Sequence, residues 1–248
     1  ADAMIPWVAP VFAAPQQATM GEAWAGVLAY TFQLYFDFSG YSDMAVGLGW
    51  LMNIRLPMNF NSPYTSTSMV QLWNRWHMTL VTFLNQYVFL PLGGFRKGMA
   101  RGLGGVLLTM LVAGLWHGAG WTYVVWGLLN GCFLIVNYLW RRSGRELPAL
   151  LGWLLTFGCI MVSLVFFRAT SLEMAWQVLQ AMSDLDKLYY PSEWAAWLPQ
   201  ALTYGIPFGE WKVITHGTEV MSAWLIMLLV SIPLLPNIHQ VAREVKPN

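Results

Sequence analysis

The chain has 248 residues, 57% of them hydrophobic and only 10% charged, with 15 tryptophans and a formal net charge of +1. Soluble domains carry roughly a quarter of their residues as charged side chains, so this composition excludes an ordinary water-soluble domain and describes a polytopic membrane protein. Lys and Arg are nearly balanced by Asp and Glu, and no basic, aromatic-interleaved patch occurs, so nucleic acid is not an expected partner.

Asp2 to Gln17 contains Pro and Ala and is expected to be a connector or the tail of a preceding helix. Trp24 to Phe36 starts a membrane crossing, which runs into Asp37, Ser39, Gly40, Ser42 and Asp43. Polar groups at membrane depth need partners in protein or water. The interruption therefore has two readings: a helix break in which Ser42 or Asp43 caps a new helix from Met44 to Met52, or the polar wall of a substrate tunnel. Leu56 to Ser68 is a loop by its Pro, Asn and Ser content, with Ser66 or Ser68 placed to cap the next helix. From Met69 to Leu90 the pattern is amphipathic at helical spacing, with Val70, Trp73, His77, Leu80, Leu84 and Tyr87 on one stripe and Arg75 on the other. Such a helix lies at the interface or re-enters the membrane. On spacing alone, His77 reads as a packed structural residue.

Pro91-Leu92-Gly93-Gly94 ends that helix, and Arg96, Lys97 and Arg101 follow. Gly102 to Trp140 then contains no Asp, Glu, Lys or Arg. One crossing needs about 20 apolar residues, so this stretch is two crossings, with Gly118-Ala119-Gly120 as the natural turn. Apart from Tyr and Cys, its only ionisable side chain is His117. A helix from Gly102 to Trp116 rises about 22 Å against a hydrocarbon core of about 30 Å, which places His117 short of the far face. An intramembrane His is a functional-site candidate, and the small residues beside it leave room for a ligand; the alternative is a core His hydrogen-bonded between helices.

Arg141, Arg142 and Arg145 close the double crossing. Both basic clusters thus share a side, which the positive-inside rule assigns to the cytoplasm. Pro148 precedes a further span, Ala149 to Phe167. Residues 169–217 carry five acids against Lys187 and Lys212, as expected of an exported loop, and Leu172 to Met182 reads as a short amphipathic helix within it. Glu219 precedes a last span, Val220 to Leu235, with Arg243 and Lys246 inside. His216 and His239 fall near span ends and receive no role. Cys132 and Cys159 lie in apolar runs and read as small buried side chains, with neither metal-ligand nor disulfide spacing. The chain opens with Ala1-Asp2, shows no signal-peptide pattern and stops at Lys246-Pro247-Asn248, so a fragment is expected.

Six stretches carry a resemblance: FDFSGYSDMAVGLG (Phe36 to Gly49), NFNSPY (Asn59 to Tyr64), WNRWHMTL (Trp73 to Leu80), PLGGFRKG (Pro91 to Gly98), GLWHGAGWTYVVWG (Gly114 to Gly127) and VFFRA (Val165 to Ala169). In this order they resemble the membrane-bound O-acyltransferase family, and within it the bacterial alginate O-acetyltransferase branch. The resemblance implies an all-α, polytopic transmembrane bundle with re-entrant or amphipathic helices around a central tunnel. Residues 1–248 would form a single membrane domain, the C-terminal part of a core whose N-terminal helices are missing. It also makes His117 the catalytic His and His77 the second active-site His. Substrate-binding residues are expected among Asp37, Ser39, Tyr41, Asp43, Trp73, Asn74, Arg75, Trp116 and Trp121. Two departures stand out: Asn85-Gln86 occupy the place of an Arg-Asp pair common in the branch, and Leu72 and Asn74 replace its usual Phe and Arg. Asn74 is closer to the D-alanyl transferase branch.

Acyl transfer needs a base for the attacking hydroxyl or a nucleophile to carry the acyl group, and a neutral imidazole serves either role. His117 is expected to be that base, with His77 orienting the substrate or polarising the acyl carbonyl. No metal is expected, since two His on separate helices without a carboxylate at ligand spacing make a poor site. No cofactor is expected beyond an acyl donor, acetyl-CoA or another acyl thioester. The resemblance places the protein in the bacterial inner membrane, among membrane lipid, with an exported polysaccharide acetyltransferase as partner and alginate or a similar polymer as acceptor. D-alanyl or other acyl transfer, and a non-catalytic transporter or flippase of acylated lipid or sugar, are the alternatives.

Overall fold

The computed structural model describes residues 1–196, 198, 204–214, 218–234 and 237, with only the backbone for 218, 219 and 232–234. The described residues fall into two compact units, Ala1–Asp37 with Leu164–Leu229, and Phe38–Ser163 with the described residues from Val230 on.

In the first unit the expected lead-in is a helix, α1 (Ile5–Ala13). Pro6 sits where a helix start tolerates a missing N–H, and Trp7, Val8, Val11 and Phe12 supply a buried face. The next helix, α2 (Met20–Leu51), runs for 32 residues. Its start is a capping box. The Glu22 carboxylate accepts from Thr19 N at 2.8 Å, and Thr19 Oγ1 accepts from Glu22 N at 3.3 Å. Fully buried, Glu22 also accepts from the backbone N–H groups of Val213 (2.6 Å) and Ile214 (2.7 Å), tying a distant segment to this helix end.

The helix break expected between Asp37 and Asp43 does not occur, and neither Ser42 nor Asp43 is a cap. No Pro falls in that stretch, so its polar side chains interrupt the apolar pattern without interrupting the backbone ladder. Further along, α8 (Leu172–Ser183) is capped by Ser171, whose hydroxyl accepts from Met174 N. The strands β1 (Tyr190–Pro191) and β2 (Phe208–Gly209) make one parallel pairing.

The second unit holds the long apolar helices. The expected continuous helix from Met69 to Leu90 is instead α3 (Met69–Trp73), capped by Ser68, then α4 (Met78–Leu84), then a π-helical turn at Asn85–Phe89. His77 lies at the break in the left-handed conformation, φ 43° and ψ 52°. The loop before α3 causes the break: Asn61 N donates to Arg75 O and Met78 N donates to Asn59 O, both at 3.0 Å, so backbone groups on either side of His77 pair outside the helix. The single stripe read from spacing is therefore split, with Trp73 and Leu84 buried and Tyr87 exposed.

The predicted hairpin is present as α5 (Met99–His117) and α6 (Trp121–Arg142), joined at Gly118-Ala119-Gly120. Glycines set its tight spacing: a methyl group on Gly114 would run into the Tyr123 carbonyl, and one on Gly127 into the Met110 carbonyl. Pro148 precedes α7 (Ala149–Arg168), whose Trp153 Nε1 donates to Tyr64 O at 2.8 Å and anchors the loop before α3.

Four stretches among the described residues are long and apolar enough to cross a membrane: Met78–Lys97, Met99–His117, Trp121–Arg142 and Ala149–Arg168. The segment after His77, expected at the interface or re-entering the membrane, is thus a candidate span, while α2, expected to start a crossing, is not among the four. The expected last span is α9 (Thr218–Leu234), with a shorter apolar stretch at Val220–Ser231. His216, His239, Arg243 and Lys246 lie outside the described residues.

Candidate active site

His77 and His117 come from different elements and meet in the second unit. His117 is the last residue of α5, held at the hairpin turn, and His77 is held at the break between α3 and α4. Both imidazoles pack against one indole, that of Trp116, whose ring centroid is 4.8 Å from His117 and 6.1 Å from His77. Phe38 closes the other side of His77 at 4.7 Å. On the His117 side, Trp126 packs edge-on at 5.2 Å and Tyr123 lies at 6.5 Å. The histidines therefore share aromatic neighbours, with both rings half-buried and Trp116 exposed.

The conformation of His77 is not one a non-glycine residue adopts freely; it costs about 1–2 kcal/mol. Asn59 offsets that cost. Its side-chain oxygen accepts from Thr79 Oγ1 at 2.6 Å and Thr79 N at 3.4 Å, while its carbonyl takes Met78 N. The first turn of α4 is clamped to the loop, and His77 with it. Nδ1 of His77 is buried and has no hydrogen-bond partner among the described residues. Buried ring nitrogens are normally paired, which makes this one an exception.

The remaining predicted residues divide. Trp116 is in the site, and Trp73 reaches it through Trp126, against which it packs edge-on at 5.8 Å. Arg75 donates from Nη1 to Thr65 Oγ1 at 2.8 Å and lines, with Asn74, a polar cleft shared with Arg141 and Arg145. Ser39 is buried, Asp43 half-buried, and Tyr41 and Trp121 are exposed. Asp37 is exposed and belongs to the first unit. Sequence reading missed Phe38, Asn59, Tyr123 and Trp126 as site residues, although each lies in or beside a quoted motif; Asn59 was detectable as a polar residue opening the loop before the His77 segment.

This arrangement can hold a hydroxyl and an acyl carbonyl between two imidazoles, one to take a proton and one to bond the carbonyl oxygen. Among the described residues no three or more His, Cys, Asp or Glu side chains gather in a metal-ligating group.

Residues 12–174, which include both histidines, match the membrane-bound O-acyltransferase family. The chain belongs to that family. With four membrane-length apolar helical stretches among the described residues, this O-acyltransferase-family chain is an integral membrane protein. It is 47% identical over 169 residues to a "Peptidoglycan O-acetyltransferase" of Helicobacter pylori, covering 66% of this chain and 32% of that protein. It is 46% identical over 168 residues to a "Probable alginate O-acetylase AlgI" of Pseudomonas aeruginosa, covering 67% of this chain and 32% of that one. A "Teichoic acid D-alanyltransferase" of Streptococcus thermophilus is 32% identical over 162 residues, covering 56% of this chain and 39% of that protein. The match thus covers about a third of the first two relatives' length.

Proposed function

We propose that the protein to which this chain belongs transfers an acetyl group from a cytoplasmic thioester, acetyl-CoA, towards a hydroxyl of an exported polysaccharide at the bacterial inner membrane. The observation that carries the reading is the meeting of His77 and His117 across Trp116, with the buried Nδ1 of His77 unpaired. His117 takes the proton of the attacking hydroxyl as its oxygen bonds to the acyl carbon. His77 donates a ring N–H to the carbonyl oxygen as charge develops there. When the C–S bond breaks, His117 returns its proton to the leaving thiolate, and the imidazoles end as they began.

Acetyl is favoured over D-alanyl by the higher identity to relatives named for O-acetylation, although Asn74 resembles the D-alanyl branch. The acceptor is alginate, peptidoglycan or a similar polymer, reached directly or through an exported acetyltransferase partner. The test is transfer from labelled acetyl-CoA by membranes carrying the full-length protein, wild type against His117→Ala. Label on the exported polymer or its carrier is expected only in the wild type. Equal labelling by an inserted His117→Ala protein would remove His117 from the chemistry. Export of acylated material without new acylation would favour a transporter.

A further inference from the structure

Beside the histidine pair, and sharing none of its ring contacts except Trp126, α3, α4, α5 and α6 enclose a cavity of about 410 Å³. Its walls are mostly apolar, among them Leu80, Leu84, Phe89, Val106, Met110 and Ala113. That volume far exceeds what a two-carbon acyl group fills. Asn74, Thr82, Asn85 and Thr109 add polar side chains to the lining, and Trp73 beside them is more than nine-tenths buried, with no hydrogen-bond partner for its Nε1 among the described residues. A polar cleft of about 480 Å³ adjoins the cavity, with Val70 and Asn74 lining both. It holds Arg75, Arg141 and Arg145 against one acid, Glu146, and the Arg145 guanidinium lies 5.9 Å from the Trp140 ring. Among the described residues no carboxylate pairs with any of the three arginines.

The two spaces have the polarity sequence of one molecule. Leu134 on the cavity wall and Arg141 in the cleft are seven residues apart on α6, or about 10 Å along its axis. A phospholipid presents a phosphate, then ester carbonyls, then an acyl chain over a comparable length. The basic end of α6, with Trp140 beside its arginines, has the chemistry of a membrane interface, where basic pockets between helices hold anionic headgroups. The apolar share of the lining suits an acyl chain better than an amide-rich thioester arm, for whose amides Asn74, Thr82, Asn85 and Thr109 would be the polar partners.

We propose that this two-part site binds an anionic phospholipid of the leaflet facing the basic end of α6. The phosphate sits on Arg141, Arg145 and Arg75, the ester region lies at the Val70–Asn74 neck, and one acyl chain fills the cavity. The lipid fastens α3 and α4, which carry His77 between them, to the α5–α6 hairpin.

The test is native mass spectrometry and thermal melting of the purified full-length protein, offered phosphatidylglycerol and phosphatidylcholine in equal amounts. One phosphatidylglycerol is expected to be retained at least about tenfold over phosphatidylcholine and to raise Tm. Replacing both exposed arginines, Arg141→Gln with Arg145→Gln, should weaken retention about 25-fold, at about fivefold per cation. Val106→Trp should fill the cavity and abolish retention with the arginines intact. Equal retention of the two lipids, or no effect of the arginine pair, would overturn the proposal. So would displacement of the lipid by coenzyme A, which would assign the cleft to a soluble phosphate ester. None of these readouts depends on acyl transfer, so a failure here leaves the histidine reading untouched, and the reverse also holds.

Discussion

Asn59→Ala tests how His77 is held. The substitution removes the acceptor of a 2.6 Å bond from Thr79 Oγ1 and a 3.4 Å bond from Thr79 N, while the backbone bond from Met78 N to Asn59 O remains. A net hydrogen bond contributes about 0.5–1.5 kcal/mol, and the longer bond lies at the weak end, so the loss is about 1.5 kcal/mol. The left-handed conformation of His77 costs a similar amount, about 1–2 kcal/mol. Removing the clamp should therefore let the segment relax away from that conformation and lower the productive population about tenfold. The assay is acetyl transfer by membranes of the full-length variant, with Tm measured on the same preparation. Asn59→Ala should lose about tenfold in rate with a small change in Tm, and Asn59→Asp, which keeps an acceptor at the same place, should retain most of the rate. Full activity in Asn59→Ala would refute the clamp. An equal loss in both variants would refute hydrogen-bond acceptance as its basis.

Three more outcomes are expected. His77→Gly should be more stable than His77→Ala by about 1 kcal/mol in thermal melts, because only glycine adopts φ 43° without strain, and both should be inactive; equal stability would mean that the left-handed backbone is not populated. Glu22→Ala should destabilise the protein by about 3 kcal/mol, since three backbone N–H groups lose their acceptor at about 1 kcal/mol each, and limited proteolysis should then cut near Val213 and Ile214. Gly127→Val should drive α5 and α6 apart at the Met110 carbonyl, lowering stability by about 1–3 kcal/mol and abolishing transfer; an unchanged Tm would contradict the close helix approach.

The spans after Leu90 were legible because their signals are local. The length of the uncharged run from Gly102 to Trp140, the Gly118-Ala119-Gly120 turn and Pro148 act within a few residues of themselves, and α5, α6 and α7 follow them closely. Of the two candidate caps read from the sequence, Ser66 and Ser68, it is Ser68 that caps α3, whereas the capping box of Thr19 and Glu22 went unread. Two errors share a cause. A break was one of two readings of the polar residues on α2, where no Pro imposes one, and the segment from Met69 was read as unbroken although a competing backbone partner is present. Side-chain pattern alone does not report where backbone hydrogen bonds go.

By itself the sequence determined that this is a membrane protein, where its apolar hairpin turns, and to which family its ordered motifs belong. Each of those rests on hydrophobic length, backbone permissiveness or motif order along the chain. Only the tertiary structure decided that His77 turns left-handed and meets His117 across Trp116, and that Arg75 and Asn74 face a separate basic cleft. Those outcomes depend on bonds made at a distance: Asn59 to Thr79, twenty residues apart, and Trp153 to Tyr64, eighty-nine apart. A helical periodicity cannot anticipate them, because the loop that breaks the helix supplies its partners from outside the pattern.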